Sequence, residues 1–290
     1  MSTTLHWPWL IVLALGLALG PKPLHGASVM ETNERYARGY AALAALAPQK
    51  AQGVQDALAG IAPDLGRFVI EFGYGDIFTR PGLAPDERQT ATIAALTALG
   101  NAAPQLAFHV EAGLATGLTP EEIVEIVYVA TVFAGFPAGL NAIAVCREVF
   151  AAKGVAVSPR PAHPVGETDR RTRGLAALAT TSKGAGERVV ASLADIAPDL
   201  ADFILDFSYG DVISRTILTP GQKEIAMIAA ATARGTMAPQ LAVHVKAARA
   251  VGVTREQIVE TILQMAAYAG FPSAINGMLA ARDALAELGE

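Results

Sequence analysis

Shifted by 135 residues, the chain aligns with itself without a gap, and this duplication constrains its fold more than any other feature. IAPDL at 61–65 returns at 196–200, and EFGYGD at 71–76 returns as DFSYGD at 206–211. APQLAFHV at 103–110 returns as APQLAVHV at 238–245, and AGFP at 134–137 returns at 269–272. Arg80 falls on Arg215, His109 on His244 and Asn141 on Asn276. The period is that of a domain, not of a solenoid repeat. The units run from 31 to 153 and from 166 to 288. Between them, 154–165 carries Pro159, Pro161 and Pro164 and reads as a linker.

Within each unit the pattern is helical. Thr119-Pro120-Glu121-Glu122 writes a capping box with proline at the first helical position, and Thr254 to Gln257 and Thr219 to Gln222 repeat it. Gly117 and Gly252 stop the preceding helices. Gly135-Phe136-Pro137 and Gly270-Phe271-Pro272 break long apolar stretches. Alternating strands are absent from the pattern, so the fold class is all-α, two tandem helical domains. In EEIVEIVYVATVFAG (121–135) the polar face ends after Glu125. A helix apolar on nearly every side must be covered, here by the second copy and by further chains.

With 290 residues, a net charge of −5 and 52% hydrophobic residues, the chain lacks the basic stripe that nucleic acid requires. Its one cysteine, Cys146, lies on an apolar helical face and reads as an inert core thiol. Trp7 to Gly20 is uncharged but too short to span a bilayer. It matches a signal-peptide core with cleavage after Ala27, although no Lys or Arg precedes it and His25 fits the cleavage site poorly. The other reading is a start at Met30. The first places the protein in the periplasm or outside the cell, the second in the cytoplasm. Residues 1–29 are set aside from the fold in both.

Several polar residues sit in apolar surroundings in both copies. His109 and His244 lie on apolar helical faces. Each is either a core histidine satisfied by one hydrogen bond or a general acid–base group. Glu224 lies one helix earlier, across a short turn near Gly235–Met237, where it can approach His244; the first copy has Gln89 instead. An amide cannot stabilise an imidazolium as a carboxylate does, so the first copy is altered if the pair is catalytic. Tyr74, Asp76 and Arg80 match Tyr209, Asp211 and Arg215. Asp76 and Arg80 form either a simple i,i+4 ion pair or a set in which arginine clamps an anionic substrate. Asn141 and Asn276 read as structural.

YGDIFTRPGLAPDERQTATIAAL followed by APQLAFHVEAGLATGLTPEEIVEIVYVATVFAGFPAGLNA resembles the carboxymuconolactone decarboxylase family. The second copy, from YGDVISRTILTPGQKEIAMIAAA to AYAGFPSAIN, resembles it more closely. The resemblance covers both units. It implies an all-α fold and subunits assembled as trimers or hexamers, so that three of these two-unit chains form a homotrimer resembling a six-unit ring. It also implies two chemical branches. The alkylhydroperoxidase D branch places cysteines seven and four residues before the histidine, where this chain has Ala102 and Gln105, and Met237 and Gln240. Peroxidase activity therefore carries over only as a family-level label.

The other branch decarboxylates a carboxylated muconolactone without metal or organic cofactor. That chemistry implies His244 as general acid, Glu224 orienting it, and Arg215 and Tyr209 binding a small anionic substrate, with His109, Arg80 and Tyr74 as the first unit's counterparts. The alternative is a non-enzymatic anion-binding or assembly protein on the same fold. No stable membrane span is expected.

Overall fold

The computed structural model describes residues 29–159, 169–182 and 184–290. The leader features at Trp7–Gly20, His25 and Ala27, and linker residues Pro161 and Pro164, lie outside the described residues. Among the described residues there are helices and no strands, and no helix is long and apolar enough to cross a membrane.

Each unit opens with an arm. In unit one, α1 (Val29–Leu46), α2 (Pro48–Leu58) and α3 (Pro63–Phe68) lead into a π-helical segment, Val69–Phe78. Unit two repeats this as α8 (Arg170–Thr181), α9 (Ala185–Leu193), α10 (Pro198–Phe203) and π-helical Ile204–Ile213. For clarity α4 (Pro85–Leu99), α5 (Ala103–Ala115), α6 (Pro120–Ala134) and α7 (Phe136–Lys153) are the body of unit one. The body of unit two is α11 (Pro220–Arg234), α12 (Ala238–Ala250), α13 (Arg255–Gln264), a 3-10 turn (Met265–Ala267) and α14 (Phe271–Ala286).

The written signals act where the sequence puts them. Thr119, Thr219 and Thr254 each accept from the backbone N–H three residues on, and that residue's side chain reaches back to the cap. Gly135 and Gly270, both at φ 84°, hold the breaks before α7 and α14.

The arms are held by glycine and charge. Gly39 of α1 lies so close to the π segment that a Cβ would fall 2.0 Å from the Ile70 carbonyl oxygen, and Gly174 repeats this at Leu205. Arg35 and Arg38 then pair with Asp76, and Arg170 and Arg173 with Asp211. Asp76 is thus an arm lock, and the i,i+4 pairing with Arg80 does not form.

At the centre, α4 packs on α11, both buried along nearly their whole length. Small residues permit the close approach: Ala91, Ala94 and Ala95 on one side, Ala226, Ala229 and Ala230 on the other. Ile93, Ile123 and Ile126 share one core with Ile228, Ile258 and Ile262. The two tandem units therefore fuse into one core, and α6 finds its cover on α4 and α11.

Gly174→Ala should lower stability by roughly 1–3 kcal/mol, because the new methyl meets backbone that cannot yield. Gly53→Ala, in α2 with nothing within 4 Å of its Cβ position, should be neutral or stabilising. Urea denaturation of both variants checks the contrast.

Candidate active site

The end of each arm crosses to the other unit. Arg215, just past the second π segment, forks onto Glu125 of α6 in unit one, with Nε 2.8 Å from both carboxylate oxygens. Arg80 does the same to Glu260 of α13, at 2.7 and 2.9 Å. Both glutamates are buried. Arg215 also lies over the Tyr128 ring, 5.0 Å from its centroid. Arg80 and Arg215, expected to face a substrate carboxylate, each hold a carboxylate of this chain.

A second cation ties down each crossing. Lys223 donates to the carbonyls of Ile213, at 2.7 Å, and Arg215. Its counterpart Arg88 donates to the Arg80 carbonyl, Glu260 and Gln264. Burial lowers the pKa of both side chains. Burial also works against a charged Glu260, but Arg80 and then Arg88 outweigh it and hold its carboxyl below the ordinary value.

The histidines sit behind these crossings. Antiparallel α11 and α12 bring Glu224 Oε2 within 2.9 Å of His244 Nδ1. A carboxylate acceptor fixes the proton on Nδ1 and leaves Nε2 to the outside. Phe133 of unit one lies edge-on to the ring, with centroids 5.3 Å apart. Nε2 has no hydrogen-bond partner among the described residues, and the side chain remains 12% exposed. Tyr209 lies near Glu224; burial and then that carboxylate push its hydroxyl up to about 12, so it stays a donor at neutral pH.

Unit one fills the same positions differently. His109 Nδ1 meets the Gln89 side-chain oxygen at 2.9 Å, and its Nε2 meets the Tyr268 hydroxyl at 3.1 Å. Tyr268 stands where Phe133 stands in the other half. With both ring nitrogens engaged, His109 is sealed, and burial pushes its pKa down to about 3. Tyr74 is buried beside Phe78, 5.1 Å between centroids, and burial raises its pKa. The charges also differ. Arg215 and Lys223 balance Glu125 and Glu224, whereas Arg80 and Arg88 face Glu260 alone.

The structure thus brings Glu224, His244 and Tyr209 together and separates His109 from solvent. Sequence reasoning missed Glu125, Glu260, Lys223, Arg88, Phe133 and Tyr268. The 135-residue shift superposes Glu125 on Glu260, two charges inside apolar helices, and that was the available signal.

The sequence profile of the carboxymuconolactone decarboxylase family matches residues 63–148 and again 198–283. The chain belongs to that family. It is 36% identical over 93 residues to 4-carboxymuconolactone decarboxylase of Acinetobacter baylyi, covering 32% of this chain and 69% of the relative. It is 34% identical over 96 residues to an uncharacterized 15.0 kDa protein of Paracoccus denitrificans, covering 33% of this chain and 72% of the relative. Its fold resembles that of a protein from Burkholderia xenovorans assigned as a gamma-carboxymuconolactone decarboxylase subunit. That similarity has a TM-score of 0.53 at 21% identity and covers 88% of this chain and 98% of the other. At that identity the likeness speaks for the fold alone.

His109 should stay neutral from about pH 8 to about pH 4 in histidine side-chain NMR, given a folded value of about 3. Below pH 6.5 the unfolded chain takes up a proton that the native state refuses, so resistance to urea should fall as pH drops toward 3. A His109→Gln variant should lose that part of the slope; an unchanged slope would contradict the buried neutral ring.

Proposed function

We propose that the chain is a cofactor-independent carboxy-lyase acting on a small carboxylated lactone, 4-carboxymuconolactone or a close relative, with one working site per chain at His244. The reading rests chiefly on the unpartnered Nε2 of a histidine whose Nδ1 is held by a buried carboxylate. The name of the Acinetobacter relative supports the substrate class.

In the reaction the bond to the carboxylate carbon breaks, CO2 leaves, and the electron pair moves into the lactone as a dienolate. Protonated His244 Nε2 delivers a proton to carbon, and solvent restores it. Glu224 stabilises the imidazolium and sets its orientation. Tyr209 supplies a neutral hydroxyl donor toward the developing oxyanion. Arg215 and Lys223 balance Glu125 and Glu224 around the site before substrate binds. Arg215, held on Glu125, contributes positive charge toward the substrate carboxylate.

The apolar surface supports a homotrimer. Leu65, Phe68 and Phe271, and their counterparts Leu200, Phe203 and Phe136, remain exposed at equivalent positions of the two units. Repeated self-complementary patches suit a closed ring of copies. The rival reading, an anion-binding or assembly protein without turnover, is favoured by Gln89 standing where unit two has Glu224.

With purified protein and 4-carboxymuconolactone, His244→Ala should lower kcat by about 10²–10⁴-fold. Glu224→Gln should impose the unit-one pattern and also lower kcat. His109→Ala should stay within a few-fold of the parent. No turnover by the parent protein would favour the binding role, and equal losses from His109→Ala and His244→Ala would end the one-site account.

A further inference from the structure

Bordered by the Arg215–Glu125 pair, a cavity of about 960 Å³ opens between α6–α7 of unit one and the second π segment. Its wall is mainly apolar, including Val124, Ile143, Phe150, Val157, Phe207 and Ile217. His244, Glu224 and Tyr209 do not line it. The volume is at the top of the range for pockets that hold drug-sized ligands.

The duplication supplies an internal comparison. The position of Ile217 is Gly82 in the other half, where a Cβ would fall 2.5 Å from Glu260 Cγ. That loop lies directly on α13. Ile217 cannot approach α6 so closely, and the gap it leaves is part of the cavity. Tyr128 and Phe150 correspond to Leu263 and Leu285, so these two rings are peculiar to this side, whereas Phe136 and Phe207 return as Phe271 and Phe72. Val155–Pro159, running past α7, adds a wall fixed by the Ser158 N–H donating to Glu121 at 2.7 Å.

Most charges in the wall are engaged within the chain. Glu125 holds Arg215, Asp211 pairs with Arg170 and Arg173, and Glu121 accepts from Ser158. Arg147 is different: it lines the cavity and has no ion-pair partner among the described residues. A largely apolar space with one uncommitted guanidinium at its edge suits an amphipathic acid.

We propose that this cavity binds an amphipathic monocarboxylic acid with an unbranched alkyl tail, the tail among the apolar side chains and the carboxylate at Arg147. The site does not include His244, Glu224 or Tyr209, sharing only the Glu125-bound Arg215 with their surroundings, and the proposal does not rest on the decarboxylase reading.

Isothermal titration of the full chain with decanoate, and with decan-1-ol, tests this. Decanoate should saturate at one per chain and bind about tenfold more tightly than the alcohol, a difference of about 1.4 kcal/mol. Ile143→Trp, which fills the cavity, should weaken decanoate more than about tenfold. Arg147→Gln should bring acid and alcohol to equal affinity. His244→Ala should leave binding unchanged, so failure here and failure of catalysis are separable. Should Ile143→Trp lose its helical circular dichroism, Val157→Trp serves in its place. Absence of saturable binding, binding indifferent to the filled cavity, or equal affinity for acid and alcohol in the parent protein would overturn the proposal.

Discussion

Two buried carboxylates, Glu125 and Glu260, are tolerable only because an arginine arrives from the opposite unit to meet each. A charge so enclosed costs several kcal/mol unless it is paired and hydrogen-bonded. The crossing therefore dictates the rest of the arrangement. It fixes where each π segment ends and lays each arm across its neighbour's body. It also places α6 of unit one, with Phe133 and Tyr128, against the histidine side of unit two. A duplicated chain could have remained two separate beads; the crossed pairs and the α4–α11 core make it one object.

Within that frame two of the differences between the halves set the histidines apart. Glu224 became or remained Glu where the other half has Gln89, and Phe133 stands where the other half has Tyr268. The second difference decides whether the histidine's outer nitrogen is open or occupied, and the first whether its inner nitrogen meets a charge. One hydroxyl satisfies His109 Nε2, and one amide removes the charge that would stabilise a protonated ring. The result is an enclosed structural histidine in unit one and a partly exposed dyad in unit two.

The fold was largely legible in the sequence. The duplication, the Thr-capped helix starts and the Gly-Phe-Pro breaks are local signals, and local geometry obeys them. The pairing of Glu224 with His244 was legible as well, because a short turn between two helices leaves few ways for them to meet. The crossed pairs were not, since Arg215 and Glu125 are 90 residues apart and no periodicity links them. The π-helical form of Val69–Phe78 was hidden too. It reflects the close glycine contacts between arm and segment, which no pattern of hydrophobic residues reports. Spacing along one helix makes Arg80 a candidate partner for Asp76, whereas the structure pairs Asp76 with Arg35, 41 residues away.

The most direct measurement is a double-mutant cycle on stability at Arg215 and Glu125, using Arg215→Leu, Glu125→Leu and the pair together. Either single change strands a buried charge or its partner and should cost about 3–5 kcal/mol. The double variant should recover much of that loss, giving a coupling of about 2 kcal/mol or more. Additive losses, with a coupling below about 0.5 kcal/mol, would contradict the claim that this crossing holds the two units and their site together.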